Sequence, residues 1–258
     1  MGARHDEVSQ EGENYEARLI RCDRSGSPGR VLSRRGERRR HRDDPARRPA
    51  ANVTLSNLSG VSCASATKCT AVGNSYQSGM SRPLAEHWNG TTWAIQTVPV
   101  PAGSTGSTLN GVSCTLANAC TAVGYYYASG AALTLAQTWN GTIWTVQPTA
   151  NPAGSPVSVL TGVWCTAATA CTAAGTYESG PSTYLTLAEA WNGSTWPIQA
   201  TANPSATGSY LQGVSCLSAT ACTAVGQYQD SSGTFLTLAE MWNGTSWTLQ
   251  TTPNTGRR

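Results

Sequence analysis

Charge is the scarcest ingredient of this sequence. Asp, Glu, Lys and Arg make up 12% of its 258 residues, against roughly 25% in an ordinary soluble domain. Most of that supply sits in residues 1–50, which carry 13 of the 17 Lys and Arg and 9 of the 14 Asp and Glu. After Ala51 the only cations are Lys68, Arg82, Arg257 and Arg258, too few for the clustered positive surface that a phosphate backbone demands. Nucleic acid is therefore excluded as a partner of that region. Long apolar runs are missing too, and none approaches the roughly 18 residues of a membrane-spanning helix. Histidine is down to His87 after residue 50, and there is no glycine-rich phosphate loop and no Cys-x-x-Cys. Zinc needs four ligands, and no unit of the chain pairs its cysteines with a histidine, so the sequence calls for no metal and no cofactor.

Residues 1–50 lack a lasting helix or strand period and contain RRGERRRHRDDPARR. High charge with few apolar side chains cannot offset ordering entropy, so the expectation is a disordered basic segment. Three other readings stay open: a polybasic nuclear or nucleic-acid patch around Arg34–Arg42, a twin-arginine export signal at Arg34-Arg35, and text that is not native, since composition changes abruptly at Ala50/Ala51. The 7–15-residue apolar core of a signal peptide is absent.

What is abundant is repetition. The stretch LNGVSCTLANACTAVGYYYASGAALTLAQTWNGTIWTVQPT, residues 109–149, occurs four times with small changes. A period near 50 marks a repeat array that buries one shared core, here 51–258 with units at about 57–106, 107–157, 158–208 and 209–253. Each unit divides into four short β-like runs, in the second copy 109–114, 120–127, 132–139 and 142–148. Asn89-Gly90, Asn140-Gly141, Asn192-Gly193 and Asn243-Gly244 predict two-residue hairpins, because both residues tolerate positive φ. Each is flanked by tryptophans, Trp88/Trp93, Trp139/Trp144, Trp191/Trp196 and Trp242/Trp247, expected to pack between adjacent units. The same asparagines match the N-glycosylation pattern, which the turn explains without sugar.

Four-stranded antiparallel units at this period predict an all-β, β-propeller-like fold of four blades, closed as a ring or left as an arc. The first strand should be innermost, since Gly60, Gly111, Gly162 and Gly213 permit the close backbone approach of a crowded axis. Trp164 stands where the other units have Ser62, Ser113 and Ser215, and either plugs the channel or marks a ligand surface. The fourth unit leaves no strand over to latch onto the first, so closure is weakly secured and self-association is a second route to it.

The pairs Cys63/Cys69, Cys114/Cys120, Cys165/Cys171 and Cys216/Cys222 stand at the facing ends of the first and second strands. Opposed residues there come within about 4.5–5.5 Å, inside the window for a disulfide. Local bridges imply an oxidising compartment, hence a secreted or cell-surface protein. Cys22 is left outside this scheme. The text GVSC…ACTAVG…LAE.WNGT.W..Q resembles tandem repeats of secreted propeller-like proteins of GC-rich bacteria over residues 57–253. That resemblance implies fold and export and brings no catalytic residues. The Asn-Gly-Thr-x-Trp hairpin loosely resembles the Asp-box of sialidase-type propellers, with Asn in place of Asp.

Acids in the array are Glu86, Glu178, Glu189, Asp230 and Glu240. Glu86, Glu189 and Glu240 share one place in the repeat with Gln137, so their expected role is a hydrogen bond to strand ends or to a tryptophan N–H. A two-carboxylate hydrolase needs unlike environments for its pair, and a Ser-His-Asp triad would need His87 to meet Asp230. Tyr125, Tyr126, Tyr127, Tyr177 and Tyr228 follow the second strand on loops ending in Ser-Gly, where they either pack or form a glycan- or protein-contact rim. The expected function is a non-catalytic binding or scaffold module, with a ligand-free spacer and a propeller glycosidase or lyase as the alternatives.

Overall fold

Strand-forming and turn-forming residues alternate so regularly that the chain folds as four copies of one sheet. The computed structural model describes residues 53–204 and 207–254. The first sheet holds β1 (Val53–Ser65), β2 (Lys68–Gln77), β3 (Met80–Trp88) and β4 (Trp93–Gln96). The second holds β5 (Gly106–Leu116), β6 (Ala119–Ala128), β7 (Ala131–Trp139) and β8 (Trp144–Gln147). The third holds β9 (Ser158–Ala167), β10 (Ala170–Gly180), β11 (Thr183–Trp191) and β12 (Ile198–Gln199), and the fourth β13 (Ser209–Ser218), β14 (Ala221–Gln229), β15 (Phe235–Trp242) and β16 (Trp247–Gln250). In every sheet the strands lie in chain order and pair antiparallel. The all-β, four-by-four architecture is the one expected from the repeat. No helix in the described residues is long and apolar enough to cross a membrane.

The first strand of each sheet packs on the first strand of the next, β1 on β5, β5 on β9 and β9 on β13. Glycine makes this approach possible: a Cβ on Gly111 would lie 3.1 Å from the Thr161 carbonyl oxygen and 3.2 Å from the Gly162 Cα. Among the described residues no such packing joins the fourth sheet back to the first. The blades therefore form an open arc.

Each blade has a leading face, turned to the blade before it, and a trailing face, turned to the blade after. Leu109, Val112, Leu135 and Trp144 on the leading face of the second blade enclose Val72 and Ala85 from the trailing face of the first. The same exchange recurs with Val123 and Ala136 inside the third blade's cluster, and with Ala174 and Ala188 inside the fourth's. Burying leucines such as Leu109 and Leu135 stabilises each junction by about 2 kcal/mol apiece.

Two turns differ from expectation. In the Asn-Gly turns only glycine has positive φ, 94 to 100°. The asparagine instead accepts two backbone N–H bonds through Oδ1, as from Thr142 and Ile143 to Asn140 at 2.9 and 3.0 Å. The connection is thus a four-residue loop closed by a side chain. The two-residue turn with both φ positive sits at Ser78-Gly79 (51° and 78°) and Ser129-Gly130 (51° and 80°), the dihedral signs of a type I′ hairpin.

All four cysteine pairs, Cys63–Cys69, Cys114–Cys120, Cys165–Cys171 and Cys216–Cys222, are disulfides between directly opposed residues of the first two strands. Each spans six residues, with Cα atoms 3.9–4.0 Å apart, closer than the 4.5–5.5 Å expected of an unbridged antiparallel pair. Three of the four also touch the preceding blade. The hydroxyls of Thr70, Thr121 and Thr172 lie 3.5–3.6 Å from the sulfurs of Cys120, Cys171 and Cys222; a disulfide sulfur has no proton, so the hydroxyl donates. Cys69 departs from this equivalence. Among the described residues no blade lies before the first and no threonine meets the Cys69 sulfur; Cys69 stays half-buried, whereas Cys120, Cys171 and Cys222 are buried. Such bridges belong to an oxidising environment.

Candidate functional site

The polar chemistry of the array is concentrated at the blade junctions. Trp144 Nε1 donates to Gln96 Oε1 and Trp247 Nε1 to Gln199 Oε1, both at 2.9 Å. The tryptophan N–H therefore finds the end of the preceding blade's fourth strand, not the Glu/Gln position. At the middle junction Gln147 turns away, its Nε2 donating to Thr138 Oγ1 at 2.9 Å, and Trp196 Nε1 is left without an acceptor. The paired rings within each hairpin lie 5.6–5.8 Å apart.

The Glu/Gln position instead reads the linker behind it. Gln137 Nε2 donates to the Pro99 carbonyl at 2.9 Å, and the Ala202 N–H donates to Glu240 Oε2 at 3.1 Å. Proline has no N–H to offer, so an amide stands opposite Pro99 and a carboxylate opposite Ala202. Glu189 is fully buried and neither carboxyl oxygen has a hydrogen-bond partner. Burial pushes its acid up to about 8, the neighbouring Thr134 hydroxyl opposing this only in part. Burial also raises Glu240, offset by the Ala202 N–H and the Thr186 hydroxyl. A substrate cannot reach Glu189 or Glu240, both 0% exposed.

The tyrosines lie on strands, not loops: β6 carries Tyr125–Tyr127, β10 Tyr177 and β14 Tyr228. Tyr126, Tyr177 and Tyr228 occupy one place in the repeat, half-buried against the second, third and fourth blades' clusters. Tyr125 and Tyr127 stand apart from them as an edge-to-face pair with ring centres 5.4 Å apart. Tyr127 is held above the usual phenol range chiefly by Tyr125, then by burial and by Tyr76. Trp164 is 43% exposed and lines a small pocket with Cys171, Trp191 and Cys216. Its cost is visible at the junction: Ser62 and Ser113 hydroxyls accept the N–H of Cys114 and Cys165 at 3.0 and 2.9 Å, and Trp164 removes the serine that would serve Cys216.

Two of the half-buried tyrosines open onto matching grooves. Tyr126 lines one of about 530 Å³ with Val100–Ala102, Thr134, Leu135, Val146 and Gln147–Thr149. Tyr228 lines one of about 260 Å³ with Pro204, Thr237, Leu238, Leu249–Thr252 and Asn254. Each groove lies between the preceding linker and the outer strands of its own blade. The segment that follows the fourth strand of the second, third and fourth blades is locked to its own blade: Thr134, Thr186 and Thr237 N–H groups donate to Asn151, Asn203 and Asn254 Oδ1 at 2.8–2.9 Å. Thr149, Thr201 and Thr252 hydroxyls return 2.9 Å bonds to the carbonyls of those same threonines. These linker residues are the ones sequence reasoning passed over. Their signal was the repetition of Thr-Ala-Asn-Pro after the fourth strand.

No Asp, Glu, His, Lys or Arg side chain is among the residues lining either groove. Among the described residues no three His, Cys, Asp or Glu come together to hold a metal ion. His87 lies on β3, while Asp230 closes its own turn by accepting from Ser232 and Thr234 N–H at 2.9 and 3.0 Å; the blades that carry them do not pack together. Arg34, Arg35 and Cys22, with every reading of residues 1–50, lie outside the described residues.

No family model matches the chain, and no curated protein matches it. Solved structures do resemble it. The fucose-specific lectin from Aleuria aurantia, in a mercury-derivative form, aligns over 75% of this chain and 58% of that one, at 14% identity and a TM-score of 0.44. The SapL1 lectin in complex with α-methyl fucoside aligns over 78% of this chain and 81% of that one, at 11% identity and 0.41. YCF48 bound to a D1 peptide aligns over 75% and 82%, at 11% identity and 0.30. The chain thus spans somewhat over half the length of the Aleuria lectin, and likenesses this distant assign neither ligand nor site.

Proposed function

We propose that this protein is a secreted, non-catalytic binding module of the bacterial propeller-like repeat class, and that it takes neutral glycans in the grooves beside Tyr126 and Tyr228, with Tyr177 at the equivalent place in the third blade. The observation that carries this reading is the recurrence of one groove, Tyr126 and Tyr228 each facing a linker proline and a Gln-x-Thr segment. A sugar ring offers an apolar face to an aromatic side chain and hydroxyls to amides and alcohols. The scarcity of cations argues against acidic polysaccharides, whose charge needs partners. Export is supported by the four disulfides.

The test is a glycan array probed with the parent and with a Tyr126→Leu/Tyr177→Leu/Tyr228→Leu variant, which keeps apolar bulk against the cores but loses ring and hydroxyl. Selective retention of neutral glycans by the parent, lost in a variant that melts normally, is expected. A parent that retains none leaves the spacer reading, and a variant that binds as the parent does removes the tyrosine grooves.

A further inference from the structure

Among the described residues, neither end of the arc carries a cap. A repeat array ordinarily closes its ends with units whose outer face is polar, because an exposed copy of the internal interface is apolar. Here both outer faces keep the internal interface. On the leading face of the first blade, Leu58, Val61 and Trp93 are 48%, 63% and 45% exposed, whereas Leu109, Val112 and Trp144 at the same places are buried. They line an apolar groove of about 370 Å³ with Gly60 and Ala71. On the trailing face of the fourth blade Val225 is 50% exposed, where Val72 and Val123 are wholly buried in the next blade.

The polar residues of the junction are retained on these faces as well. Thr223 holds the place of Thr70, Thr121 and Thr172, whose hydroxyls meet the next blade's disulfide. Ser215 holds the place of Ser62 and Ser113, which accept the next blade's cysteine N–H. Gln250 holds the place of Gln96 and Gln199, the tryptophan acceptors. A Cβ on Gly213 would meet nothing nearer than Val225 Cγ2 at 4.0 Å, while the same atom on Gly60, Gly111 or Gly162 would press on the next blade's backbone at 3.0–3.1 Å.

We infer that the trailing face of the fourth blade docks on the leading face of the first blade of a second copy of this chain, repeating the internal junction. Val225 enters the groove of Leu58, Val61 and Trp93. Gln250 accepts the Trp93 N–H, Ser215 accepts the Cys63 N–H, the Thr223 hydroxyl donates to the Cys69 sulfur, and Gly213 lies against Gly60. The two surfaces are different, so the contact is heterologous, and it closes only if the rotation returns to the start. Two copies contribute eight blades, within the range of known propellers, about four to eight, and every junction is then used.

The test is native mass spectrometry and light scattering on the full chain in a Cys22→Ser background, so that no intermolecular disulfide contributes. A discrete species of twice the chain mass is expected. Gly213→Val blocks the trailing face and Val61→Asp the leading face, each at a site open in the single chain. Either variant alone should be monomeric with its four disulfides intact. Mixed one to one, they should form a two-chain complex through the one junction still intact on both. Glu86→Gln is a gain-of-function arm: Glu86 would face Pro253, which has no N–H, and an amide there repeats the Gln137–Pro99 pair. It should tighten each of the ring's two junctions about fivefold, as one added hydrogen bond does, and so the dimer about 25-fold. A parent that stays monomeric at 100 µM (about the concentration at which a weak micromolar dimer saturates), an open-ended polymer, or a mixture that does not associate would each overturn the two-chain ring.

Discussion

Replacing Glu189 by glutamine should stabilise this protein at pH 8 and remove most of its pH dependence above pH 5. The carboxyl is buried, has no hydrogen-bond partner, and titrates at about 8 in place of its ordinary 4.5. Between those values the folded state holds a proton that the unfolded chain has released, so stability falls as pH rises from 4.5 to 8. At about 1.4 kcal/mol per pH unit, the ceiling on the loss is about 5 kcal/mol, reached near pH 8. That ceiling is comparable with the whole stability of a small domain, about 5–15 kcal/mol. Glutamine is neutral at every pH and already occupies this position in the second blade as Gln137. Urea midpoints from pH 5 to pH 8, with disulfides intact, read the effect directly. Parent and Glu189→Gln should agree within about 1 kcal/mol at pH 5, the ordinary scatter for a substitution that changes no burial, and separate steadily above it. A parent whose midpoint does not move between pH 5 and pH 8, or a variant that follows the parent's slope, would refute the reasoning.

The three internal tryptophan junctions offer an internal comparison. Trp144→Phe leaves Gln96 Oε1 without its donor, whereas Trp196→Phe removes an N–H that has no acceptor; denaturation should show Trp144→Phe the costlier by about 1 kcal/mol, and the reverse order would contradict the assigned bonds. Gly111→Ala drives a methyl onto the Thr161 carbonyl and the Gly162 Cα and should lower stability by about 1–3 kcal/mol, read as a reduced urea midpoint; a neutral result would mean that the β9 backbone yields to the methyl and that the approach is not rigid.

Strand count, strand order and cysteine pairing were legible in the sequence because each is written four times over, and periodicity needs no tertiary information. The unlike surroundings of Cys69 were not legible, because they follow from its blade being first and not from any residue around it. The turns were harder. Asn-Gly is the stronger type I′ signal from intrinsic preference, yet Asn140 uses its side chain to close a four-residue loop, and the φ-positive pair falls at Ser129-Gly130. Serine seldom adopts that conformation, so propensity pointed away from it. The tyrosines were read both as the end of the second run, 120–127, and as part of the loops ending in Ser-Gly; the strands take them because β6, β10 and β14 continue past Tyr127, Tyr177 and Tyr228. The role of Gln137 and Glu240 depends on which linker lies behind them. The clue, Pro99 against Ala202, is visible in the text only once the preceding unit is known to pack there. Whether four blades close was left open by the repeat, because closure is decided by the angle between sheets and not by anything within one.

Every sulfur bridge joins residues six apart in one hairpin, and so none ties a blade to its neighbour. Between blades the only covalent thread is the backbone of the linker. A protease that nicked one linker would leave two pieces adhering through non-covalent junction contacts alone, each still stapled internally. Such an architecture lends itself to being split and reassembled, and to gaining or losing whole blades by duplication without any cysteine being orphaned.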